Sequence, residues 1–165
     1  MCLQRIPGLI DPLNTGPRIL YVYKFGIIND TFLESPFQRA KMENKMEVPE
    51  MTFHDNLVEC GLHSYLSQAT TECAIKRYKA LYNEPIVLLS CIVPPDTDYY
   101  VGINGDVVSQ KLQINFPIHY TKAFDETFTI VLKDGSTIQF SADSKEHLML
   151  ILNYFKIDYK NIVEF

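Results

Sequence analysis

A chain of 165 residues with 47% hydrophobic and 21% charged residues is long enough to bury one proper core and ordinary enough in composition to be globular. Fifteen Lys and Arg against twenty Asp and Glu leave a net charge of -5 and a pI near 5.3. That balance argues against nucleic acid or an anionic membrane surface as the main partner, because both demand a basic footprint.

No run of about 18 apolar residues occurs, as a membrane-crossing helix would need. The opening MCLQRIPGLIDPLNTGP interrupts apolar continuity with prolines and an acid, so a secretory leader is not expected and the chain reads as cytoplasmic. Cys2, Cys60, Cys73 and Cys91 are scattered without a C-x-x-C pair, which signals neither a zinc site nor a disulfide framework. Free, mostly buried thiols are the expectation.

In chain order, residues 1–17 carry three prolines and two glycines and are expected to form an irregular arm. A single α+β domain is expected over 18–165. Ile19 to Phe25 is β-rich and predicts a central or near-central strand, with Leu20, Val22 and Lys24 on one face against Ile19, Tyr21, Tyr23 and Phe25 on the other. Gly26 to Pro49 is polar and turn-rich, consistent with an exposed loop holding a short strand or helical turn. Leu62 to Tyr65 follows Gly61 as a short strand, and Ser67, Thr70 and Thr71 are successive candidate helix caps.

From Glu72 to Tyr82 the residues Ala74, Tyr78, Leu81 and Tyr82 recur at helical spacing, and Asn83-Glu84-Pro85 stops the helix. Ile86 to Val93 (IVLLSCIV) is a nearly unbroken apolar run of strand length, which predicts a strand covered on both faces in the middle of the sheet. Tyr99 to Val101 is extended, Asn104-Gly105 marks a tight turn, and Val107 to Ile114 returns as a strand. Phe128 to Leu132 and Thr137 to Phe140 flank Asp134-Gly135 as a hairpin. Asp143 and Glu146 have capping-box spacing before a helix from about Ser144 to Phe155, and Asn161 to Phe165 is strand-like. The fold class is therefore α+β, a mostly antiparallel sheet of about six to eight strands with two helices and a C-terminal ββα unit. A sub-boundary is possible near 116–122, around Pro117.

The succession Gly61-Leu62-His63-Ser64-Tyr65, a Ser/Thr-rich cap, a helix with Ala, an apolar strand, a Pro-rich break, Tyr99-Tyr100-Val101-Gly102 and then Val108-Ser109 with Leu112 and Ile114 resembles small uncharacterised proteins of bacteriophages and other large DNA viruses. The resemblance covers 61–114 and carries no functional residue with it. An acidic, compact chain without a catalytic constellation is expected to work by contact, as a non-enzymatic interaction protein or small virion component of viral or phage type in the host cytoplasm or the virion, with a host or virion protein as partner. The Gln38 to Glu50 loop and the ββα unit are the expected binding surfaces.

A more distant similarity is to ADP-ribosyltransferases and RNA 2′-phosphotransferases, in which a strand of the Gly-x-(His/Tyr) type precedes an Ala-containing helix. It implies NAD or nucleotide binding at Tyr21, Tyr23, His63 and Tyr65, with Glu126 orienting the ribose. The first strand lacks the Arg or His of that class, and Glu126 stands only as the nearest acid before a strand.

Read from the residues alone, His63 is the histidine to consider first, since it titrates near neutral pH and follows a glycine. A strand histidine satisfied by backbone or Tyr contacts is the simpler account. His54 beside Asp55 could serve Ser64 or Cys60 as a base, although adjacent strand residues point to opposite faces. His119 and His147 are explained by exposure. The absence of H-x-x-x-H and Asp-x-Asp-x-Asp runs points to no metal, and no cofactor is expected. Tyr21, Tyr23, Tyr65, Tyr99 and Tyr100 suit a groove as well as a core. Oligomeric state has no sequence signal.

Overall fold

The two most apolar segments become paired central strands. In a computed structural model, residues 4–5, 17–29, 31–36, 39–54, 57–102 and 104–163 are described. The first seven strands are β1 (Gln4–Arg5), β2 (Leu20–Ile28), β3 (Leu33–Glu34), β4 (Lys41–Met42), β5 (Lys45–Glu47), β6 (Thr52–His54) and β7 (Leu57–Cys60). There follow β8 (Leu62–Tyr65), α1 (Gln68–Leu81), β9 (Ile86–Val93), β10 (Tyr99–Val101), β11 (Asp106–Ser109) and β12 (Lys111–Pro117). The chain closes with β13 (Glu126–Leu132), β14 (Thr137–Ala142), α2 (Lys145–Tyr154) and β15 (Tyr159–Val163). Most of the expected N-terminal arm lies outside the described residues, as do Asp55, Gln38 and the last two residues of the expected terminal strand. All strand pairs are antiparallel, and the class is α+β.

The main sheet has the order β10-β11-β8-β2-β9-β12-β5, with β3 and β4 added beside β2. β2 and β9 pair from Leu20↔Val93 to Ile27↔Ile86, in the middle of this path, as their composition predicts. The expected single strand from Val107 to Ile114 is instead two strands broken at Gln110. The break has a large consequence. β11 pairs β8 and β12 pairs β9, on opposite sides of β2. In a flat sheet those strands would stand about 19 Å apart, four spacings of about 4.8 Å. One intervening residue spans only about 7 Å. The sheet therefore curls until β11 and β12 meet, and the path closes like a small barrel.

Inward side chains fill the closed sheet: Val22, Val87, Leu89, Cys91, Val93, Val107, Leu112 and Ile114 are all buried in one cluster. The same cluster continues into the C-terminal unit through Phe128, Ile130, Phe140, Leu148 and Ile151. Outside the sheet, α1 packs Ala74, Ile75 and Tyr78 on Phe25, Ile27, Ile86 and Leu88 in a second cluster. The helix starts at Ser67, the first of the three candidate caps, whose hydroxyl accepts from Thr70 N at 3.1 Å. Its buried stripe is Thr71, Ala74, Ile75 and Tyr78. Leu81 and Tyr82, expected on that stripe, are 76% and 47% exposed. Thr71 takes the inner place because its hydroxyl donates back to Ser67 O at 2.8 Å and so hides its polarity.

The segment 118–125 is fastened rather than loose. Ser141 N donates to His119 O at 2.7 Å, Lys79 Nζ donates to Ala123 O at 3.0 Å and pairs with Asp143 at 2.6 Å. The Glu72 carboxylate accepts from the Thr121 hydroxyl and from Lys122 N. Glu72→Ala would leave the buried Thr121 hydroxyl accepting from Ala123 N at 3.1 Å but with no acceptor for its proton, and a loss of about 1–3 kcal/mol is expected in denaturant unfolding.

The second helix shows a shifted cap. The box expected between Asp143 and Glu146 is formed one residue on, where Ser144 Oγ accepts from His147 N at 3.1 Å and His147 Nδ1 accepts from Asp143 N at 2.9 Å. His147 Nε2 then donates to Ile86 O at 2.6 Å. His147 is thus 5% exposed and held in one neutral tautomer, which corrects the expectation of a surface histidine. Of the described cysteines, Cys91 is buried, Cys60 half-buried and Cys73 exposed, so burial is not their common state. Among the described residues no helix is long and apolar enough to cross a membrane.

Candidate functional site: a cavity at the open seam of the sheet

The closed sheet has one weak seam. β2 joins β8 only at Tyr23↔Tyr65, and further along β2 the next neighbour on that side is β3, at Ile27↔Glu34. Between these points the strands diverge and leave a cavity of about 770 Å³. Its base is Lys24 and Phe25 of β2, and one wall is Leu62, His63 and Tyr65 of β8. Met42 and Met46 form the opposite wall, and Ala74, Tyr78 and Leu81 of α1 close it from outside. Gly26 lies behind it, where a Cβ would stand 3.0 Å from Met42 Sδ and 3.2 Å from Glu34 O; a larger residue there would push the Met42 wall.

Lys24 bridges the seam. Its Nζ donates to His63 O at 2.6 Å, replacing the ladder bond that the diverging strands cannot make. Among the described residues Lys24 has no carboxylate partner, and its side chain is half-buried. Further cations, Lys41, Lys45 and Arg77, stand around the cavity with two acids, Glu43 and Glu47. Four cations against two acids give a local excess of +2 in a chain whose net charge is -5.

His63 and Tyr65 share this cavity wall, their rings meeting edge to face at 4.8 Å. His63 Nε2 lies 3.5 Å from Asp106 Oδ1, too long for a good hydrogen bond, and its buried Nε2 makes none. Burial pushes its imidazole below the usual value, Asp106 opposes that shift, and Lys24 adds to it. Ser64 is fully buried and alternates to the opposite face from His63, so the two do not form a nucleophile and base. His54 ends β6, and its expected partner Asp55 lies outside the described residues. Burial pushes the Cys91 thiol up to about 12, which leaves it protonated and inert.

The other sequence candidates lie elsewhere. Tyr21 is 65% exposed on the outer face of β2, and Tyr23 is half-buried at the seam pair without lining the cavity. Glu126 opens β13 opposite Ala142, in the C-terminal sheet. His119 is exposed, with Nδ1 2.9 Å from Gln139 O. Among the described residues no three His, Cys, Asp or Glu side chains are grouped to hold a metal. Lys24 and the methionine wall had no motif to announce them; the one available signal was a lysine inside an otherwise apolar strand.

His63 and His147 make acid stability testable. Both imidazoles are held below the ordinary value, each chiefly by burial. The unfolded chain therefore binds more protons than the folded one as pH falls below about 6.5. Their stability contribution is present above that pH and is lost as pH falls through the lower folded values. Urea unfolding at pH 7 and pH 5 should show a loss of at most about 1.4 kcal/mol per pH unit for each histidine. His63→Asn combined with His147→Gln should flatten that dependence.

Fold and cavity together define an antiparallel α+β protein with a self-closing sheet and a ligand-sized cavity at its open seam. Comparison with protein-family models, curated proteins and solved structures finds no match to this chain.

Proposed function

We propose that this is a non-enzymatic interaction protein that docks a protein partner on the outer face of β2, β9 and β12. The supporting observation is a row of outward apolar side chains: Ile19 and Phe116 are 42% and 54% exposed, Tyr21 is more exposed still, and Ile92 is half-buried between them. Tyr21 stands opposite Ile92, and Ile92 is diagonal to Phe116, which pairs with Ser90. A register shift between Ile114 and Phe116 puts Phe116 outside. Without that bulge Phe116 would alternate inward with Leu112 and Ile114.

Exposed aromatic rings grouped on one face suit an interface better than a solvated surface. On this reading the partner is a host or virion protein, and the place of action is the host cytoplasm or the virion. A photo-cross-linking side chain at Phe116, compared with one at the exposed hairpin residue Lys133, tests the reading. Adducts to another protein from the Phe116 position alone are expected. Equal adducts from both positions, or adducts only to a second copy of the chain, would count against it.

A further inference from the structure

We infer that the seam cavity binds an amphipathic anion, a molecule with an aliphatic body and a single anionic head seated on Lys24. None of the outer-face residues Ile19, Tyr21, Ile92 and Phe116 lines this cavity, so the site is separate from the docking face.

Three observations carry the inference. First, Lys24 is half-buried with one of its three donors committed to His63 O and no carboxylate partner among the described residues. An ammonium drawn out of water without a counter-charge is unfavourable, and an anionic head supplies what is missing. Second, the cations at the mouth are less compensated than they look, because Glu47 is shared with Lys111 at 3.9 Å. Third, the walls beside Lys24 are Phe25, Met42, Met46 and Leu62. Unbranched thioethers adapt to a flexible aliphatic body. The volume of about 770 Å³ is that of a small-molecule site.

A nucleoside phosphate fits less well. Phosphate groups favour the free amides at a helix N-terminus, whereas α1 starts at Gln68 and meets the cavity only through Ala74, Arg77, Tyr78 and Leu81. A single point charge above an apolar wall suits a carboxylate or monoester head.

The test is fluorescence titration of the full chain with anilinonaphthalene sulfonate and with its uncharged analogue phenylnaphthylamine, alongside thermal melting to confirm the native state. Lys24→Met should weaken the sulfonate dye at least about tenfold, the loss of one charge-assisted hydrogen bond. It should leave the uncharged dye within about twofold, since the apolar wall is intact, and Lys24→Arg should restore the sulfonate. Met46→Asp, which sets a carboxylate into the apolar wall, should weaken both dyes at least about tenfold and decides the matter if Lys24→Met fails to fold. Decanoate should displace the sulfonate and adenosine monophosphate should not. Unchanged sulfonate affinity in Lys24→Met, unchanged binding of both dyes in Met46→Asp, or displacement by adenosine monophosphate but not decanoate would overturn the inference.

Discussion

Phe140→Ala is expected to lower stability by about 3–5 kcal/mol, the largest single effect foreseen for this chain. Phe140 is 1% exposed and is among the largest fully buried side chains. It lies on β14 opposite Phe128, in the cluster that runs from the closed sheet into α2. Little nearby can collapse into the space, because the strand is held on one side by β13 and α2 packs against it. For a chain of this size each kcal/mol moves the melting temperature by about 2–4 °C, so a fall of roughly 6–20 °C should be seen. Near-ultraviolet and far-ultraviolet dichroism should follow the same curve, since a core shared between the main sheet and the ββα unit melts as one body. A separate early transition confined to the C-terminal unit would mean that the two cores are only adjacent.

The second large effect is expected on binding. Tyr21→Ser with Phe116→Ser should weaken attachment to the cross-linked partner by at least about 2 kcal/mol, or roughly thirtyfold, if the pair forms the centre of the interface. Both side chains are more than half exposed, so their removal leaves no internal void. A change of melting temperature within about 2 °C is therefore expected, which separates a lost contact from a damaged fold.

Much of the fold was readable because its signals are local. Leu62–Tyr65 and Ile86–Val93 have the predicted limits, the β13–β14 hairpin turns at Gly135 with φ of +89°, and Ser67 caps its helix as its residue type suggests. The departures arise where tertiary pairing decides. Gln110 carries no Gly or Pro punctuation, yet it is a corner, fixed by its N–H to Asp98 O at 3.0 Å and its carbonyl to Val48 N at 2.9 Å. Polarity predicts exposure for His147, whereas its two ring nitrogens satisfy Asp143 N and Ile86 O inside the protein.

The candidate site was half legible. His63 and Tyr65 are both candidates on the sequence and both line one cavity, since alternation on a short strand puts residues two apart on the same side. The rest of the cavity was not visible in the sequence. It is assembled by strands far apart in the chain, β2, β4, β5 and β8 with α1, and exists because two of them diverge. No periodicity reports a divergence. The outer aromatic row was equally hidden, because a one-residue register shift beside Asn115 decides which way Phe116 points.

The central claim, docking on the outer face of β2, β9 and β12, is tested most directly by the dissociation constant of the partner identified through the Phe116 cross-link. It should be measured with the unaltered protein and with Tyr21→Ser, Phe116→Ser. A weakening of about thirtyfold or more at unchanged melting temperature is predicted. Equal affinity of the two proteins for that partner would contradict the claim.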